Sequence, residues 1–564
     1  MAKPYSDLSA ICCEWPPRAA GSELNQGESQ SDKIDKVFAQ WSKPDSPGCE
    51  LVVIKDGQIV YKHGYGMANL EHSIPMSPAS IMDTGSVSKQ FTAMAIALLA
   101  EQGKLSLDDD IRKYLPEIPK YESTITIRHL IHHTSGIRDY LTLMAIAGMR
   151  DDDYYVDGEV LNLLARQKEL NFKPGSEFLY SNSGYFLLSQ IVKRASGKSL
   201  REYADENIFK PLGMTRTKFY DDHNEIIKNR AASYVPRKGG GFQIAATTLD
   251  MVGDGNVFTC VEDLFLWDQN FYHNKLGKGG QALIDQVLTT GILNNGEKID
   301  YAFGLVIGEY RGLKIVEHGG AFIGYRAMTL RFPDQRFSVY IQCNLGTMNP
   351  SSLARRVADI YLADQLKPEV ARTGASETKF IELKEEELRS KAGAYRNPIN
   401  GAIWKLYVKD HSLFADLDNS SVRFGAVSAS EFRSIGAPVQ ATLRFENGQK
   451  ATMLVQRGAA KPIAFESVKL VTPTPPQLAE YIGEYRSDEV QASYSVILED
   501  GRLYLRHENE YKDYPKNPLQ PTTSDSFKVQ GLNIHFNRDT NRQISSFSLN
   551  AGRVKNIKFV KKNG

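Results

Sequence analysis

The spacing of apolar positions changes along the chain, and the changes divide it into parts. Leu51-Val52-Val53-Ile54 and Ile59-Val60-Tyr61 are short β-branched runs joined by Lys55-Asp56-Gly57-Gln58. The Asp-Gly pair supplies the left-handed residues of a tight turn, so a β-hairpin is predicted. From Val87 the spacing becomes helical: Val87, Phe91, Met94, Ala95, Leu98 and Leu99 recur on one face until Gly103 stops the run. Strand-like runs return at 313–316 and 327–332. Strands at both ends of a helical middle describe an α/β body whose first and last segments share one sheet.

After Leu366-Lys367-Pro368 the chain turns small and polar over 371–378, and period-two patterns follow, which predicts a domain boundary at 368–378. The remainder repeats itself. Gly393-Ala394-Tyr395-Arg396 answers Gly483-Glu484-Tyr485-Arg486, Leu413-Phe414-Ala415 answers Leu503-Tyr504-Leu505, and Leu443-Arg444-Phe445 answers Ile534-His535-Phe536. Turn pairs such as Asn447-Gly448 and Asp500-Gly501 punctuate both copies, which favours a small antiparallel barrel or sandwich for each. Thr472-Pro473-Thr474-Pro475-Pro476 reads as a stiff linker between them. The expected organisation is a disordered stretch over 1–30, a body over 31–370, and two β units over 379–470 and 477–564.

Composition narrows the partners. Hydrophobic residues at 41% and charged residues at 24% are those of a globular protein, and a net charge of +1 asks for neither nucleic acid nor an anionic membrane. No apolar run reaches the roughly 18 residues of a spanning helix. The first 30 residues lack the apolar core of a signal peptide, so the cytoplasm is expected, with the periplasm or secretion the alternative if a signal sequence is missing. The cysteines at 12, 13, 49, 260 and 343 are odd in number and scattered, which predicts thiols in a reducing compartment rather than a disulfide framework.

The candidate chemistry begins at Ser86-Val87-Ser88-Lys89. Residues i and i+3 share a helix face, so the Lys89 side chain reaches the Ser86 hydroxyl, and a serine needs such a neighbour to become a nucleophile. A second match, Ser376-Glu377-Thr378-Lys379, has no apolar helix behind it. The first is followed by Tyr180-Ser181-Asn182 and then by His318-Gly319-Gly320. Three such elements in this order, with His132-His133-Thr134-Ser135-Gly136 and Lys173-Pro174-Gly175 between them, resemble the penicillin-recognising serine hydrolases, the class C β-lactamase-like family, over residues 35–365. The resemblance implies an antiparallel sheet flanked by helices, β-lactamase/transpeptidase-like, with the nucleophile helix beside it. A body of this kind followed by two lipocalin-like β-barrels is similar in layout to D-stereospecific aminopeptidases.

That resemblance implies Ser86 as nucleophile, Lys89 and Tyr180 as the groups that move its proton, and Asn182 as a ligand of Lys89 and substrate. It also implies oxyanion donors at the backbone N–H groups of Ser86 and Ala321, with Gly319 and Gly320 letting the strand come close. The expected reaction is hydrolysis of small amides, peptides or esters through an acyl-enzyme, of D-aminopeptidase type, without cofactor or metal. A promiscuous carboxylesterase or weak β-lactamase is the alternative within the class; a non-catalytic sensor of muropeptides or acyl ligands is the alternative outside it. In the family this chain resembles, transpeptidases, carboxypeptidases and most β-lactamases carry Lys where His318 stands, while the aminopeptidase and esterase branches carry His-x-Gly; a histidine is mostly neutral at pH 7, which argues against β-lactams and C-terminal D-Ala substrates. In the aminopeptidase layout a loop of the last barrel enters the cleft, and Arg486-Ser487-Asp488-Glu489 then offers Asp488, or Glu489, to a substrate amine. His129, His132 and His133 have metal-like spacing without an acidic or Cys partner, so a helix end packed beneath the site is expected. The partner is a small molecule or short peptide, with a homodimer left open.

Overall fold

The computed structural model describes residues 28–562, apart from 151–152, 369–379, 399–400, 418–419, 437–439, 447–451, 458–461 and 510–513. The expected boundary at 368–378, the second Ser-x-x-Lys match and almost all of the N-terminal stretch therefore lie outside the described residues.

The first hairpin forms as its sequence requires: β1 (Cys49–Lys55) and β2 (Gln58–Tyr65) pair antiparallel, and Asp56 and Gly57 turn the chain with φ of 51° and 78°. The later strands are β3 (Val306–Tyr310), β4 (Leu313–Phe322), β5 (Tyr325–Phe332) and β6 (Phe337–Cys343), and the sheet runs in the order β3-β4-β5-β6-β1-β2. The first and last strand segments of the body thus meet in mid-sheet, where β1 pairs with β6 from Cys49↔Cys343 to Lys55↔Phe337. Alternate residues of β1 serve two cores. Leu51 and Val53 pack with α1 (Gln30–Phe38), while Val52 and Ile54 face the core of α2 (Lys89–Glu101) and α3 (Asn182–Ser196).

One sequence expectation is overturned here. Cys49 and Cys343, separated by 294 residues, form a disulfide, and Cys260 is the buried free thiol among the described cysteines. The spacing of cysteines carried no sign of this because sheet register, not sequence distance, makes the pair neighbours.

The two repeats are two barrels. Eight antiparallel strands from Gly393–Arg396 to Ile463–Val468 close on themselves, and nine from Gly483–Ser487 to Val554–Lys561 form a second, nearly closed sheet. The repeated Gly-x-Tyr-Arg opens each. Tyr395 and Tyr485 are buried, and each hydroxyl donates to the carbonyl four residues earlier, Lys391 at 3.1 Å and Tyr481 at 2.7 Å. A short helix precedes each tyrosine, Glu385–Arg389 in one copy and Pro475–Glu480 in the other. The proline stretch expected as a stiff linker is therefore partly helical: Pro475 and Pro476 occupy the first turn, where a missing N–H costs nothing. The first barrel has its own core, whereas the core of the second is continuous with that of the body.

Candidate functional site

The nucleophile turn is held by its neighbours. Residues Gly85–Ser88 form a 3-10 turn that runs into α2; Asp83 accepts from the Gly85 N–H at 2.7 Å and the Ser88 hydroxyl accepts from Val257 N–H at 2.9 Å. Strand β4 lies directly against this turn. A Cβ on Gly320 would sit 1.8 Å from the Thr84 carbonyl oxygen, and one on Gly85, at φ +52°, would sit 2.7 Å from the Ala321 nitrogen. Gly319 has no such constraint, since its Cβ would meet nothing closer than 3.9 Å, so of the two glycines only Gly320 makes the close approach. Pairing of β3 stops at Val306↔Glu317, which leaves His318–Phe322 with a strand neighbour on one side only. The free side of that segment faces a cleft of about 760 Å³ lined by Ser86, Tyr180, Asn182, His318, Gly320 and Ala321, among others.

Lys89 is fully buried beneath Ser86. Its Nζ lies 3.0 Å from Ser86 Oγ, 2.9 Å from Asn182 Oδ1 and 2.6 Å from the Asp254 carbonyl oxygen. Asn182 opens α3, where its N–H donates to Asp139 at 2.7 Å. The Tyr180 ring is 4.9 Å from Lys89 Nζ, and its buried hydroxyl has no hydrogen-bond partner among the described residues. His133 packs against Tyr180 with ring centroids 4.2 Å apart and planes tilted by 35°, and accepts from Ser181 N–H at 3.2 Å, so the helix end that carries it lies against the site. His132 is bonded instead to the Tyr301 carbonyl at 3.0 Å, and His129 accepts from Thr126 N–H at 3.2 Å.

His318 is neutral. Burial, reinforced by the charge of Lys89 and opposed by the Gly319 carbonyl, pulls it down to about 4. Gly319 O can only accept, so Nδ1 carries the proton at 2.7 Å, and Nε2 then accepts from the Tyr301 hydroxyl at 3.0 Å. Asp254 is pushed up to about 6 by burial, against the pull of Lys89, and receives the Tyr140 hydroxyl at 3.1 Å.

Asp488 is not at the cleft. Its side chain is 82% exposed and lies 3.9 Å from Arg486 at the surface, because the strand that begins at Gly483 ends on the outside of the barrel. Glu489 next to it is buried and paired with Arg138 of the body at 2.6 Å, so it anchors the barrel rather than a substrate. The second barrel does reach the cleft, through Arg553, whose guanidinium carbon lies 4.8 Å over the Tyr180 ring. Sequence reasoning missed Arg553, Asp254, Tyr140 and Tyr301. Only the Gly253-Asp254-Gly255 run offered a signal, since glycines on both sides of an acid mark a close approach of backbone.

Residues 34–364 match the Beta-lactamase family model. The chain belongs to that family. A D-aminopeptidase of Brucella anthropi is 26% identical over 85% of this chain and 86% of its own. Penicillin-binding protein 4* of Bacillus subtilis is 33% identical over 51% of this chain and 65% of its own. Among solved structures, the octameric penicillin-binding protein homologue from Pyrococcus abyssi is 25% identical, with a TM-score of 0.55 over 78% of this chain and 99% of that one.

Proposed function

We propose that this protein is a serine hydrolase that cleaves small amides and peptides, of D-aminopeptidase type, through an acyl-enzyme on Ser86. The surroundings of Lys89 carry the reading. Asn182 Oδ1 and the Asp254 carbonyl can only accept, so two N–H bonds of Nζ are committed to them. The third direction points at Ser86 Oγ, so once Nζ has given up its third proton to solvent the lone pair it leaves faces the serine proton. Lys89 thus takes the proton as Ser86 attacks the carbonyl carbon. The oxyanion forms between the N–H groups of Ser86 and Ala321, which Gly85 and Gly320 bring together. Collapse breaks the bond to the departing nitrogen, and Tyr180, whose hydroxyl is otherwise unbonded, hands it a proton and recovers one from Lys89. Water then repeats the sequence on the ester. The bare side of His318–Phe322 takes the substrate backbone as an added strand.

The D-aminopeptidase relatives support the amide assignment, one of them matching over 85% of this chain and 86% of its own length. The Cys49–Cys343 disulfide supports an oxidising compartment over the cytoplasm. Among the described residues no helix is long and apolar enough to cross a membrane. Self-association is supported by the octameric Pyrococcus homologue, and light scattering after size exclusion tests whether the assembly is a homodimer. The test of function is a panel of a D-alanine anilide, its L-form, a short acyl ester and a chromogenic cephalosporin. Fastest turnover of the D-anilide, lost in Ser86→Ala, is expected; turnover of the ester alone refutes the amidase reading.

A further inference from the structure

The hairpin that joins Ile544–Ala551 to Val554–Lys561 carries Gly552-Arg553 at its tip, and that tip is tied to the body rather than left in solvent. The Arg553 carbonyl accepts from Asn171 Nδ2 at 2.8 Å and from Asp139 N–H at 3.4 Å, while Asn171 Oδ1 accepts from Lys555 N–H at 2.8 Å. The buried Arg138–Glu489 pair locks the same barrel to the same side of the body. Held this way, the Arg553 side chain lies across Tyr180, 44% exposed, with no hydrogen bond to its guanidinium among the described residues and Asp139 Oδ2 no nearer than 3.9 Å. Five N–H donors are thus presented at the Tyr180 end of the cleft.

The other charges there are occupied. Arg326 is tied back to the carbonyls of Ile323 at 2.9 Å and Tyr325 at 2.6 Å, and the Asp254 carboxyl is taken by Tyr140. His318 is neutral. We infer that Arg553 selects substrates whose departing portion bears a carboxylate, such as peptides that lose an amino acid with a free α-carboxyl group. This rests on the reading above that Tyr180 serves the leaving group, since the guanidinium stacked on Tyr180 is then beside that group. The cation absent at position 318 is supplied from another domain. A departing group with a free amine meets like charge at the same place.

Two dipeptides that differ at one group test this: D-phenylalanyl-D-alanine and its C-terminal carboxamide, hydrolysed by the full-length protein. Because hydrogen bonds to charged groups are the strong ones, kcat/KM for the free acid should exceed that for the carboxamide by about 10- to 100-fold. In Arg553→Gln the ratio should fall to near one, through KM more than kcat; Arg553→Lys should keep part of it, and Arg553→Glu should turn the preference toward an aminoethyl amide. Protection of Ser86 from a fluorophosphonate by the two dipeptides gives the same ratio without turnover. If neither dipeptide is cleaved but the free acid protects better, the peptidase reading fails and the Arg553 site stands. Equal kcat/KM and equal protection by acid and carboxamide in the wild type, or a ratio kept in an Arg553→Gln protein that still labels at Ser86, overturns the site itself.

Discussion

Gly320→Ala tests the geometry of the oxyanion pocket with a single methyl group. The new Cβ would lie 1.8 Å from the Thr84 carbonyl oxygen and 3.3 Å from the Ser86 nitrogen, and both neighbours are backbone that cannot rotate away. Ordinary contact begins near 3.4 Å, so β4 must retreat from the nucleophile turn by about 1.6 Å. Ala321 moves with it, and its N–H leaves hydrogen-bond range of an oxyanion held by Ser86. Loss of one such donor costs about 3–4 kcal/mol of transition-state stabilisation, a 10²- to 10³-fold fall in kcat. Overpacking adds about 1–3 kcal/mol of destabilisation. Gly319→Ala is the adjacent comparison, because its Cβ would meet nothing nearer than 3.9 Å. The assay is the rate of Ser86 labelling by a small fluorophosphonate together with kcat on the D-alanine anilide, each read beside a denaturation curve. Equal losses in the two variants, or a Gly320→Ala protein within fivefold of wild type, would refute the argument.

Lys89→Met keeps the stem and removes contacts at 3.0, 2.9 and 2.6 Å, so Ser86 labelling should fall by at least about 10³-fold, with exogenous alkylamines restoring part of it. Glu489→Ala leaves the buried Arg138 charge with only the exposed Glu169, 3.9 Å away, and should lower unfolding stability by about 3 kcal/mol; a change below 1 kcal/mol would show that the pair does not hold the barrel. His318 is held down to about 4 against an unfolded value near 6.5, so the unfolded chain binds its proton first. Its neutral ring therefore contributes fully above pH 6.5, and that contribution is lost as pH falls toward 4, by at most about 3 kcal/mol. His318→Gln should flatten that part of the acid limb in urea titrations; parallel curves would contradict the assignment.

What the sequence made legible follows the range of the interaction. The hairpin at Asp56-Gly57, the buried helix behind Ser86 and the two copies of the β unit are written in local periods and turn residues, and all form. Ser86, Lys89, Tyr180, Asn182, His318, Gly320 and Ala321 converge because each sits in a motif with its own spacing and strand or helix context. The disulfide between Cys49 and Cys343 depends on sheet register and left no trace in the spacing of cysteines. Asp488 stands in a conspicuous acidic turn, whereas Ala551-Gly552-Arg553-Val554 reads as an ordinary hairpin tip. Which of two surface turns meets a cleft is decided by how a whole barrel docks, and no local pattern encodes that.

The repeat itself explains why the docking was hidden. Residues that coincide between the copies, such as Tyr395 with Tyr485 and Leu413 with Leu503, point inward and hold each barrel together. Contacts with the body fall on positions that the repeat does not mark. The Tyr494 hydroxyl donates to the Ile146 carbonyl at 2.9 Å, His507 is bonded to the Ala147 carbonyl at 3.1 Å, and Tyr514 to that of Gly148. An internal repeat preserves what a barrel needs to fold and leaves its exterior free to diverge. Among the described residues only the second copy shares a core with the body, so it is the copy whose exterior meets the cleft. The turn that meets the cleft thus belongs to the barrel whose core is continuous with that of the body, and not to the barrel that has a core of its own.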